Sequence, residues 1–215
     1  MQQSVVPKSL AHWYRQLSPN SKGSRMLFSD RLSEREALEA KEAGRERLLE
    51  ILVSDFQKTF PDLTFRVLLD SSIINAIASR LHDKRNVTIY GGLALHPRLA
   101  ADSLAFILLH ETGHHLAEGC RLVRDRALAC ECAADYWAAT VGRDKLLQKS
   151  GRDIRMRAAL EELNQVMSPR QPSKGRYNKS ISKSGCWARG WPSRRRALLT
   201  QAQSPMIVGS CVTHI

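Results

Sequence analysis

Apolar residues recur along this chain in two rhythms, a helical one near 3.6 and an alternating one of 2, and the switches between them predict the elements. Residues 1–30 mix Pro, Ser, Asn, Gly and Lys with no sustained period, which predicts a flexible N-terminal arm. Ser33-Glu34-Arg35-Glu36 then reads as a capping box, opening a helix that runs to about Lys58. Its apolar residues Leu38, Leu48, Leu49, Ile51, Leu52, Val53 and Phe56 crowd the second half, so that end should dock on the core. Pro61 ends the helix, and Thr64 to Leu69 has the β-branched and aromatic bias of a strand. Ser71 to Leu81 reads as a short helix or an irregular segment. Asn86 to Tyr90 alternates and leaves sharply at Gly91-Gly92, a second strand.

Pro97 suits a helix start, and the stretch from about Leu99 to Glu118 is apolar on nearly every side before His110. A helix of that kind belongs at the centre of a core. A second helix is expected over Arg124 to Val141, and an amphipathic one over Asp153 to Met167 with Met156, Ala159, Leu160, Leu163 and Val166 on its stripe. Ser168 to Trp191 is rich in Ser, Pro, Gly, Lys and Arg and predicts a loop or flap, pinned by Trp187 and Trp191; Ser193 to Gln203 predicts a last short helix. The fold class is therefore α+β, mostly helical around a small sheet, with a core over 31–167 and a basic loop and C-terminal segment over 168–215 that packs on or covers it.

Composition adds less than pattern, until charge is located. The chain has 215 residues with 43% hydrophobic and 25% charged, ordinary for one globular core, and no apolar run approaches the length of a membrane span. Residues 143–215 hold 15 Lys and Arg against 4 Asp and Glu, so they carry nearly all of the net charge of +12. A basic end of this kind suits an anionic partner, nucleic acid or a membrane surface, or is simply a solvated basic surface. Met1 to Trp13 has no basic stretch followed by an apolar one, which predicts a cytoplasmic protein; export is the alternative. The five cysteines are an odd number and are expected to be reduced.

The chemistry sits in His110-Glu111-Thr112-Gly113-His114. Residues four apart share a helix face, so His110 and His114 can offer two imidazoles to one ion while Glu111 lies one position round. A catalytic zinc takes three protein ligands and leaves a fourth position for water, so a third ligand is required. Glu131 is the candidate, and Asp135, four residues on, can support a ligand imidazole from outside. Cys130 and Cys132 form a rival pair of thiolate ligands, but they flank Glu131 by about 100° on either side and a helix cannot aim both at one ion. His115, rotated by the same angle from His114, reads as a packing residue or a support for the ligands.

His-Glu-x-x-His followed on a later helix by Glu-x-x-Ala-Asp resembles the gluzincin metallopeptidases of the CAAX prenyl protease type and their soluble bacterial relatives. The likeness extends through Ile74-Asn75-Ala76, Tyr90 to Pro97 and Ala134 to Ala138, roughly residues 70 to 142, with a fainter echo at Trp191 to Arg196. It implies a zincin-like domain with one zinc per chain held by His110, His114 and Glu131, Glu111 as general base, and a peptide or protein substrate. In proteins of this kind an edge strand ahead of the active-site helix receives the substrate, which points to Val87, Thr88, Ile89 and Tyr90. The group that steadies the oxyanion is open among Tyr136, Arg195 and Arg196. The expectation is a zinc metalloendopeptidase; the alternative is a zinc-stabilised binding or regulatory module with a basic nucleic-acid-binding tail.

Overall fold

In the computed structural model, which describes residues 32–166 apart from 43, 82, 120, 123 and 124, the capping box opens helix α1, Glu34–Glu42. The Glu36 amide donates to Ser33 Oγ at 3.3 Å, and the Ser33 amide donates back to Glu36 Oε2 at 3.1 Å. The single helix expected to Lys58 is broken: Gly44 takes a left-handed φ of 77°, and α2 restarts at Arg45–Thr59. Glycine adopts that φ without a side-chain clash, so the break falls where the sequence permits it. Leu49, Leu52 and Phe56 of α2 are buried, while Leu38 of α1 lies 58% exposed.

Three strands follow, β1 Leu63–Leu68, β2 Ala76–Leu81 and β3 Lys84–Tyr90, in the order β1-β3-β2. β1 runs parallel to β3, with Phe65 opposite Val87, and β2 runs antiparallel on its other side, with Ala78 opposite Val87. Two expectations change here. The segment before Leu81 is a strand, and Val87 to Tyr90 lies in the central strand. Its main chain is bonded on both sides, and Val87 and Ile89 are fully buried, so it cannot accept a substrate as an added strand. The edges are β1 and β2.

Gly91 and Gly92 open the one-turn helix α3, Gly91–Ala94, directly against the segment after β1. A Cβ at Gly91 would run into the carbonyls of Leu69 and Ser71, and one at Gly92 into that of Ser72. Only glycine permits this approach. The central helix α4, Ala101–Leu116, comes next and buries every residue from Ser103 to His115.

Its start is fastened from two directions. Glu162 of α7, Met156–Val166, accepts from the Ala100 amide at 2.7 Å and from Ser103 Oγ at 2.5 Å, while Arg45 of α2 donates to the carbonyls of Leu99 and His96. The carboxylate meets the positive end of the helix, and the guanidinium satisfies the loop before it.

The second helix begins later than expected and runs further, continuing through a π turn to Ser150. Residues 125–129 make a turn, closed by Leu128 N to Asp125 O at 3.0 Å and Ala127 N to Asp125 Oδ1 at 3.0 Å. α5 therefore starts only at Glu131 and runs to Trp137, followed by a π-helical turn Ala138–Gly142 and α6, Arg143–Ser150. Phe56, Phe60, Phe65 and Trp137 pack ring to ring where α2, β1 and α5 meet. The predicted stripe of α7 is met by burial of Ala159, Leu160 and Leu163. Among the described residues no helix is long and apolar enough to cross a membrane. The N-terminal arm, the Ser168 to Trp191 loop, the Ser193 to Gln203 helix, Arg195 and Arg196 lie outside the described residues.

Candidate metal centre

His110 and His114 stand one turn apart on α4, and their Nε2 atoms face each other at 3.1 Å. Glu131, the first residue of α5, brings Oε2 to 3.3 Å from His110 Nε2 and Oε1 to 3.7 Å from His114 Nε2. Both rings are fully buried and Glu131 is 6% exposed. α5 comes this close because Gly113 faces it: a Cβ there would lie 2.7 Å from the Ala134 carbonyl oxygen and 3.0 Å from its Cα. The glycine in the motif thus admits the helix that brings the carboxylate.

The outer ring nitrogens fix how the inner ones are presented. His114 Nδ1 lies 2.7 Å from the Ala129 carbonyl oxygen, which can only accept, so Nδ1 carries the proton and Nε2 keeps its lone pair. His110 Nδ1 lies 2.8 Å from Asp135 Oδ1, a carboxylate, and the same argument turns its Nε2 inward as a lone pair. Two lone pairs and a carboxylate therefore converge in a buried space, where they repel unless a positive charge sits between them.

In the metal-free chain that charge is a proton. Burial alone pushes the His110 imidazolium down, but Asp135 and then Glu131 outweigh it and hold it up to about 10. A metal ion satisfies the same demand, and the spacing fits zinc. Bonds of about 2.0 to 2.1 Å in a tetrahedron place ligand atoms about 3.3 Å apart, and the three separations here run from 3.1 to 3.7 Å.

Glu111 is fully buried, and a carboxylate oxygen of it lies within 4.8 Å of ligand nitrogens of both histidines. His110, Glu111 and His114 could be taken as the ligand set on that proximity alone. Glu131 also reaches both Nε2 atoms, one through each of its oxygens, while Glu111 projects from the position next to His110. Tyr90, expected at a substrate-binding strand, lies near Glu111: burial and then the Glu111 charge push its phenol up to about 12. Val87 and Ile89 point into the core, and Thr88 is buried beside them.

His115 stays outside the site, with Nε2 donating to the Asn86 carbonyl of β3 at 3.0 Å and burial pushing its imidazolium down. Tyr136 is half-buried on α5. Cys130 caps α5 and is disulfide-bonded, its partner sulfur lying outside the described residues. That corrects the expectation of a reduced cysteine at Cys130 and removes it as a thiolate ligand, whereas Cys132 is in no disulfide. Ala129 is the site residue that sequence reasoning missed, for its part is played by a carbonyl and an alanine side chain gives no sign of it. The chain matches no protein-family model, no curated protein and no solved structure.

Proposed function

We propose that this chain is a zinc-dependent peptide hydrolase of the gluzincin kind with a zincin-like core, in which His110, His114 and Glu131 hold one zinc ion. The observation that carries the reading is the convergence of the two Nε2 lone pairs with the Glu131 carboxylate, each ring locked from behind by Asp135 or Ala129. Bound there, zinc supplies Lewis acidity to the carbonyl being attacked and to water.

The residues supply the rest. Glu111, buried next to the ligand set, takes a proton from the attacking water and delivers it to the amine that leaves, so peptide and water become a carboxylic acid and an amine. Tyr90, its phenol held protonated, faces the base as a neutral hydroxyl. Of the two edge strands, β2 is the one packed against α4, and it can take an extended peptide by main-chain bonds. A zinc module built only to bind nucleic acid through the basic end gives the buried Glu111 no task.

Glu111→Gln keeps size and shape and removes the base. Zinc content and folding should match the wild type, while hydrolysis of a casein or peptide-library substrate falls by about 100-fold or more. Equal cleavage by both proteins would overturn the mechanism, and so would wild-type protein that retains no zinc.

A further inference from the structure

β3 ends at Tyr90, near Glu111, so the hairpin that joins it to β2 lies at the other end of the sheet. There Arg80 and Arg85 stand directly opposite each other across the two strands. Alternation puts them on the face that carries Ala76, Ala78, Val87 and Ile89, all buried. Arg80 is exposed and Arg85 half-buried. The His115 imidazolium, pushed down first by burial, is pushed down further by Arg85 and then Arg80, which places both guanidiniums toward the end of α4. Asp125 acts on the same ring in the opposite sense, and its Oδ1 accepts from the Ala127 amide. Like charges directly opposite each other destabilise a sheet. Neither guanidinium takes part in an ion pair or a side-chain hydrogen bond among the described residues, whereas Arg45, Arg152 and Arg155 each meet a carbonyl or a carboxylate.

The pair sits on the edge strand that packs against α4. From Ala76, opposite Ile89, to Arg80, opposite Arg85, β2 covers about 13 Å. Midway, Ala78 packs with Leu122, Leu128 and Cys130. Those residues belong to a segment turned back on α4, where the Ala129 carbonyl holds His114 Nδ1 and the Ala129 amide donates to the His114 carbonyl at 2.7 Å. A peptide paired to the open edge of β2 brings the side chain opposite Arg80 onto the same face, with the two Cβ atoms about 5 Å apart. Arg85 stands one strand further in, about 5 Å more, within reach of its own long stem. A carboxylate at that position meets two guanidiniums and relieves their repulsion. We propose that Arg80 and Arg85 form a subsite for an acidic side chain, so that the substrates are extended segments with Asp or Glu four positions along from the residue paired to Ala76. The proposal rests on the hydrolase reading above. A nucleic-acid strand fits less well, because its bases stack on aromatic faces between the charges, and Ile77, Ala78 and Ser79 supply none.

The test uses the full chain with Zn2+ and Glu111→Gln, so that peptides are bound and not consumed, against decapeptides in which Glu, Gln or Lys is stepped through every position. Glu at one position should bind about 5-fold or more tighter than Gln at low salt, with Lys weaker than Gln, and the preference should shrink as salt rises. Arg80→Gln and Arg85→Gln should each lose most of that ratio, and Arg80→Glu combined with Arg85→Glu should turn it in favour of Lys. The melting temperature of Arg80→Gln should hold or rise, because a like-charged pair is removed. Sites cleaved in the same library by the chain with Glu111 intact should carry Asp or Glu at the same position.

Equal binding of Glu and Gln peptides at every position, or cleavage with no acidic preference, overturns the subsite while leaving the hydrolase reading standing. Neither binding nor cleavage of any peptide overturns both. An acidic preference that survives both arginine substitutions belongs to other residues and overturns the proposal. So does an oligothymidylate that binds through Arg80 and Arg85 and displaces the Glu peptides, which would make the pair a phosphate contact. A lower melting temperature in Arg80→Gln would show a guanidinium that serves the fold, and that too overturns it. Should the doubly reversed variant fail to fold, the two single substitutions carry the comparison.

Discussion

Removing the Asp135 carboxylate takes away the acceptor 2.8 Å from His110 Nδ1, and the ring is then able to turn its proton inward. Asp135→Ala should therefore lower zinc affinity by about 10 to 100 fold, while saturating zinc still fills the site; unchanged affinity in a competition titration would reduce Asp135 to a packing residue. The same pair sets a pH dependence. With the imidazolium of His110 held up to about 10, metal must displace a proton throughout the neutral range, so affinity rises with pH and falls as acid is added. Calorimetry in buffers of different ionisation heat should report about one proton released per zinc at pH 7. For the metal-free fold the sign reverses. That proton stabilises fully below the unfolded value of 6.5 and its contribution is lost as pH rises through about 10, so metal-free protein should melt at lower temperature toward pH 10.

At the scale of elements, what matters is how α4 is held at its start and how α5 is let in near its end. Glu162→Ala removes the acceptor for the Ala100 amide and Ser103 Oγ and should cost about 1 to 2 kcal/mol of stability, as lost helix caps do. Zinc stoichiometry should stay at one, since the ligands lie at the far end. Gly113→Ala should behave in the opposite way. Alanine favours a helix by about 1 kcal/mol over glycine, but here its Cβ meets the Ala134 backbone at 2.7 Å, which forces α5 and Glu131 outward. Zinc affinity should drop sharply while the helical signal persists; an unaffected dissociation constant would mean that α5 shifts without cost to the site.

For the molecule as a whole, what the sequence discloses and what it hides divide along physical lines. Side chains that act through their own type were legible: the capping box of Ser33 and Glu36, the buried run before His110, the imidazole pair and the Glu131 to Asp135 spacing. Effects carried by the main chain or by partners distant in sequence were not. Gly44 breaks a helix that apolar periodicity carries straight through, and Asp125 turns the chain where a helix was expected to have begun already. The order β1-β3-β2 cannot be read from alternation, because a buried central strand and an edge strand can share one pattern. The reciprocal pair between His114 and Ala129 belongs to the same hidden class, and it has a consequence for how the molecule breathes. The Ala129 amide exchanges its hydrogen with solvent only when this segment parts from α4, so its exchange rate counts those openings. Zinc held as proposed would tie Glu131 to His114 across the same gap. Loading the ion should slow deuterium uptake at Ala129 and its neighbours many-fold while α1, far from the site, exchanges as before.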